Sequence, residues 1–147
     1  MKTVFDSTTR AELIKRIASL NENSRAQWGK MSIYQMLKHC TQADEMYQGH
    51  KDYKRVPLGY LVGKIALKGI LKDDAPMKKN APTHRAFVIK GEGDVEAEKL
   101  KWIKLIESYA HFSNAYYTHC FFGKMTKEEV GYLAFKHIDH HLRQFNA

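Results

Sequence analysis

The sequence predicts an all-α protein: a four-helix bundle of one domain, with an additional short helix and a long crossover loop. Three observations carry this. Three hydroxyl residues are each followed three positions later by Glu or Gln, namely Thr9 with Glu12, Ser32 with Gln35 and Thr126 with Glu129. This is the capping-box form that opens helices. The apolar residues behind these caps recur at the three-and-four spacing of a helical stripe. No run has the alternation and hairpin turns of a set of strands.

The elements follow in order. Thr9 opens a helix over 9–20, and Asn21-Glu22-Asn23-Ser24 forms its exit. Ser32 opens a second over 32–48. Pro57, well suited to a first helical turn, starts a shorter apolar helix over 57–71. Leu100, Ile103, Leu105, Ile106 and Tyr109 supply the stripe of a helix over 93–114, and Thr126 opens the last, over 126–145. Residues 72–93 are the least regular part, with Pro76, Pro82 and Asn80. Within them, Ala86-Phe87-Val88-Ile89 is expected to lie extended across the bundle. No internal repeat or linker divides the chain, so residues 1–147 read as one domain.

Composition narrows the function classes. The chain has 147 residues, 44% hydrophobic and 27% charged, ordinary for a globular domain with a proper core. No apolar run approaches the roughly 18 residues of a spanning helix, and no secretory leader is legible, so no membrane partner is expected. Two cysteines, Cys40 and Cys120, fit a reducing cytoplasm rather than a disulfide scaffold. The net charge of +8 would attract anions, nucleic acid among them. The excess is spread out, its strongest run being Lys64, Lys68 and Lys72, and no nucleic-acid-binding motif accompanies it.

The histidines are more specific. His137 and His141 stand four apart, one turn apart on one helical face. They share a stripe with Val130, Ala134 and Phe145, and Ala134 is small enough to leave room for an ion or ligand. On the second helix, Met36, His39, Ala43 and Met46 form a similar stripe. Two imidazoles on one helix and a third from another can make a facial His₃ metal set. Satisfied core histidines are the alternative reading. His140 competes with His141: it lies about 60° to one side of His137 and His141 about 40° to the other. The shared stripe favours His141. Asp139 or His140 could then serve beside the ligands or on the substrate side, and His119 could orient the loop before the last helix. Cys40 points about 100° away from His39 and is a poor co-ligand.

Two segments resemble the DinB-like (YfiT-like) superfamily of metal-binding four-helix bundles: Trp28-Gly29-Lys30-Met31-Ser32 leading to Leu37-Lys38-His39, and Lys136-His137-Ile138-Asp139-His140-His141. Within it, the chain is similar to an uncharacterised subfamily through Lys79-Asn80-Ala81-Pro82-Thr83, His119-Cys120-Phe121-Phe122-Gly123-Lys124-Met125-Thr126 and His140-His141-Leu142-Arg143-Gln144-Phe145. The likeness runs from Trp28 to Phe145. Cys120 departs from it, standing where that subfamily usually has proline.

The resemblance implies a divalent metal, zinc or nickel, held by His39, His137 and His141 with coordination positions open. It also implies kinship with thiol-dependent S-transferases and isomerases that use low-molecular-weight thiols such as bacillithiol or mycothiol. A metal of this kind lowers the pKa of a bound water or thiol, which suits a thiol S-transferase or a hydrolase. Arg143, Lys136 or the lysines of 64–72 would attract an anionic thiol. Two other readings stand beside this one: a non-catalytic, stress-associated metal-binding bundle, and a basic nucleic-acid-associated protein. The aromatic stretch 109–122 is the expected contact surface if the chain forms a homodimer.

Overall fold

The computed structural model describes residues 1–147 and is mostly helical. Five α-helices, a two-stranded sheet and two 3₁₀ turns follow one another as α1 (Ser7–Ala18), α2 (Ile33–Tyr47), α3 (Pro57–Leu71), a turn at Arg85–Phe87, α4 (Val95–Ser108), a turn at Tyr109–His111, β1 (Tyr116–His119), β2 (Gly123–Thr126) and α5 (Lys127–Gln144). No helix is long and apolar enough to cross a membrane.

Caps set the helix starts. The Ser32–Gln35 box forms in both directions, with the Gln35 amide donating to Ser32 Oγ at 3.2 Å and the Ser32 amide to Gln35 Oε1 at 3.1 Å. The Thr126–Glu129 box is likewise complete. The expected Thr9–Glu12 box does not form. Asp6 caps α1 instead, its Oδ2 accepting from the Thr9 amide at 2.6 Å, while Glu12 pairs with Lys2 at 2.5 Å. Asp caps as well as a hydroxyl and adds a charge that the helix dipole favours, so the helix starts two residues earlier than Thr9 would set it. Asp94 similarly caps α4. That helix ends at Ser108 rather than 114, because the chain tightens into the Tyr109–His111 turn and leaves for the hairpin.

α1, α2, α4 and α5 share one core, α1 and α2 each packing on both α4 and α5. Leu13, Ile17, Met36, Leu37, Trp102, Ile106, Leu133, Ile138 and Leu142 fill it, all fully buried or nearly so. Leu100, expected in the core stripe of α4, is instead 51% exposed; Trp102 takes the inward position. Trp102 and Tyr109 reach a buried carboxylate on α2, Trp102 Nε1 donating to Asp44 Oδ2 at 2.7 Å and Tyr109 Oη to Oδ1 at 2.6 Å.

α3 lies at the edge of this core, against α5 and β2, and contributes Leu67 to it. Its contact face is made of glycines. A Cβ on Gly59 or Gly63 would overlap the carbonyl oxygen of Phe121, so only glycine permits this approach. Lys136 of α5 fastens the other end, its buried Nζ donating to Ile70 O at 2.6 Å and Asp73 O at 2.8 Å.

Two expectations are corrected. Strands do occur: β1 and β2 pair antiparallel, from Tyr116 opposite Thr126 to His119 opposite Gly123. They are four residues each, too short for alternation to stand out, although Tyr116-Tyr117-Thr118 favours a pleated strand. Gly123 closes the turn with a φ of +79°, and His119 Nδ1 accepts from the amides of Phe121 at 3.0 Å and Phe122 at 3.2 Å. His119 thus orients this loop. The run Ala86–Ile89 is not a single extended segment, since Arg85–Phe87 is a 3₁₀ turn with Phe87 buried. Tyr109 and Phe112 are core residues, so in the stretch 109–122 the large exposed side chain is that of Tyr116.

Candidate metal centre

The buried apolar stripes of α2 and α5 set which side of each helix faces inward, and three histidines meet there. His39 comes from α2, and His137 and His141 from successive turns of α5. One ligand atom from each lies within 4.8 Å of the other two, a cluster that could hold a metal ion. His39 and His141 are buried, and His137 is partly exposed.

Two of the rings are oriented by hydrogen bonds. His39 Nδ1 lies 3.0 Å from the carbonyl oxygen of Phe87. His141 Nδ1 lies 2.8 Å from Gln144 Oε1, while the amide nitrogen of that Gln144 donates to Trp28 O at 2.8 Å. Both acceptors demand a proton on Nδ1, which leaves the lone pairs of both Nε2 atoms free for a ligand. His137 Nε2 stands 3.1 Å from His39 Nε2. That is close to the roughly 3.3 Å expected between two nitrogens bound tetrahedrally to one zinc ion. His137 Nδ1 is buried without a hydrogen-bond partner, so the contact with His39 Nε2 and packing hold this ring, with Tyr47 perpendicular to it at 6.3 Å.

Electrostatics match the donor set. Burial lowers the pKa of His39, lowers that of His137 well below its ordinary value, and brings His141 down to about 3. The neighbouring rings add to the effect on His137 and His141 by disfavouring a second positive charge. All three are therefore neutral at pH 7, the form that binds metals. No thiolate or carboxylate joins the cluster. Cys40 turns away and packs its sulfur 3.7 Å from Met36 Sδ.

The cluster forms the floor of a cavity of about 320 Å³. Its walls come from Trp28–Met31, from Met77–Thr83 of the crossover, from Phe87–Ile89, and from His140 and Gln144. The irregular segment between α3 and α4 is thus the roof of the site. Lys79 lies over the Trp28 ring at 4.2 Å, joining the roof to the wall.

The expected ligand trio is brought together, and His140 falls outside it, in the cavity wall beside the Trp28 ring at 5.6 Å. Asp139 serves elsewhere, held by Arg16 at 2.8 Å and Arg143 at 2.6 Å. The basic residues at the cavity are Lys30 and Lys78 rather than Lys136, Arg143 or those of α3. Phe87 and Gln144 were not foreseen as partners of the ligands. Gln144 had one available signal, its place three residues after His141 on the same helix. Phe87 had none, because its carbonyl arrives across the bundle.

A family described as "Protein of unknown function (DUF1569)" matches residues 2–147, nearly the whole chain. The chain belongs to the DUF1569 family. Its two capping boxes, the glycine contact of α3 and the three clustered histidines all lie within the matched residues. No curated protein and no solved structure matches the chain.

Proposed function

We propose that this protein is a metal-dependent enzyme of DinB-like type, a bundle of α1, α2, α4 and α5 in which His39, His137 and His141 hold one divalent ion, zinc or nickel. The observation that carries the reading is the cluster itself, with one ring nitrogen of each histidine within 4.8 Å of the other two, while Nδ1 hydrogen bonds to Phe87 O and Gln144 Oε1 leave the Nε2 atoms of His39 and His141 free of protons. Buried core histidines need only be satisfied, and one hydrogen bond between His39 and His137 would do that without drawing His141 into the same cluster.

The likeness to the DinB superfamily extends this to a thiol S-transferase of the cytoplasm. When bound, the ion would supply Lewis acidity and lower the pKa of a thiol or water. The chain's own residues do the rest. Gln144 and the Phe87 carbonyl hold two ligand rings at a fixed angle. The crossover segment and Trp28 line the cavity above the cluster. The cavity wall carries Lys30, Lys78 and no carboxylate, which suits a small anionic thiol. His140 in the same wall places a titratable ring beside the reacting groups.

Metal analysis of the purified chain tests the premise. About one divalent ion per chain is expected, and almost none in His39→Ala or His141→Ala. Wild-type protein without a stoichiometric ion would falsify the reading. Turnover of a chlorodinitrobenzene-type electrophile with a panel of low-molecular-weight thiols separates the enzyme from a non-catalytic metal-binding bundle. A metal-loaded protein inert with every thiol favours the latter.

A further inference from the structure

We propose that α3 is a docking ridge for an anionic lipid surface. The helix has two apolar faces. One, built on Gly59, Gly63 and Leu67, is buried against the Phe121–Phe122 loop and α5. The other is nearly opposite: Leu58, Leu61, Val62 and Ile65 fall within an arc of about 100°. These four are 56%, 78%, 38% and 72% exposed, and Tyr60, on the far side of Lys64 from them, is 70% exposed. An apolar helix face is normally covered, and here the outer one is left largely exposed.

Charge identifies what covers it. From Tyr53 to Lys72 there is no Asp or Glu, but there are Lys54, Arg55, Lys64, Lys68 and Lys72. By helical position Lys64 and Lys68 border the apolar arc on one side, and Lys72 closes its C-terminal end. Arg55 lies over the Tyr60 ring at 4.2 Å. Next to them, Lys64 donates to the carbonyl of Lys124, and Lys124 lies 4.0 Å over the ring of Tyr116, itself 59% exposed. Two carboxylates adjoin this rim, Glu129 at 3.7 Å from Lys64 and Asp73 at 3.7 Å from Lys72, and Lys68 has neither beside it.

An apolar arc rimmed by lysines and amphipathic aromatic rings is the pattern of a helix lying in a membrane interface, with the lysine stems along the apolar surface and their ammonium groups at lipid phosphates. A second copy of the chain fits less well. It would set one lysine rim against another, and the two carboxylates at the rim, Glu129 and Asp73, already pair with Lys64 and Lys72 of their own chain. A protein groove would also have to engage an arc without a hydrogen-bonding side chain, whereas lipid tails require none. No helix spans a bilayer, and this contact needs none to.

The test is co-sedimentation of the whole chain with vesicles of phosphatidylcholine alone or mixed with phosphatidylglycerol, at low and high salt. Binding is expected only to the mixed vesicles, weakening as salt rises. Leu61→Ser with Ile65→Ser should abolish it, and Lys68→Glu with Lys72→Glu should weaken it more than about tenfold. All four positions face solvent, so helical content and metal uptake should match the wild type and serve as the folding control. These readouts are independent of any thiol chemistry. No binding to either vesicle, or equal binding to both, overturns the proposal. So does a wild-type dimer that Leu61→Ser with Ile65→Ser converts to monomer, which would assign the ridge to a second copy of the chain.

Discussion

Gln144 does at the scale of one residue what no histidine can do for itself. Its amide spans His141 Nδ1 at 2.8 Å and Trp28 O at 2.8 Å, so a single side chain sets the tautomer of His141 and ties it to the cavity wall. Gln144→Leu should lower zinc affinity about 10- to 100-fold by competition titration, with the fold retained. His140→Ala should leave metal content unchanged, because that ring lies outside the cluster; loss of the ion from this variant would move the site. Asp44 offers a second residue-scale prediction. Burial lifts its pKa from 3.8 to about 7, against the two hydrogen bonds from Tyr109 and Trp102 that favour the charged form. The folded state therefore holds this proton more tightly than the unfolded chain does. Asp44 stabilises most below about pH 4 and loses that contribution as pH rises to about 7. In Asp44→Asn the amide can still accept from Trp102 and donate to the Tyr109 oxygen. The difference in Tm between wild type and Asp44→Asn should fall across this window, the other titrating groups cancelling; a constant difference refutes the assignment.

At the scale of elements, the capping residues explain most of what could be read in advance. Ser32 with Gln35, Thr126 with Glu129 and Pro57 act through neighbours within one turn, so α2, α5 and α3 were legible to within a residue or so. α1 was misplaced because Asp6 competes with Thr9 for the same role. The hairpin was missed because its pairing is decided by His119 and Gly123 in the loop, not by a pattern along the strands. α3 gives the sharpest element-scale test. Ala in place of a helical glycine ordinarily stabilises by up to about 1 kcal/mol. At Gly63 the added methyl meets the Phe121 backbone, which cannot swing away as a side chain can. Gly63→Ala should therefore destabilise by roughly 1–3 kcal/mol in denaturant melts. A gain in stability would show that α3 is not held this closely.

For the whole molecule, the proposed metal links two helices far apart in sequence and should stabilise their packing. At free zinc about 100 times its Kd, the ion would add about 2.7 kcal/mol, or roughly 5–10 °C in Tm for a domain of this size. A chelator should remove that increment from the wild type and do nothing to His141→Ala; a wild-type Tm indifferent to the chelator would contradict the linkage. Sequence by itself determined the helical class, the core-facing stripes of α2 and α5 and the inward placement of His39, His137 and His141, because helix periodicity and caps are local properties; on α4 it put Leu100 where the structure has Trp102. Tertiary structure alone decided the rest. It set the 3.1 Å approach of His39 to His137, excluded His140, brought the Phe87 carbonyl to His39 and folded residues 77–83 over the site. It also left the outer face of α3 bare, where the sequence showed only another apolar helix. Each of these depends on how elements distant along the chain meet, and the period of one helix carries no information about the distance to its neighbour.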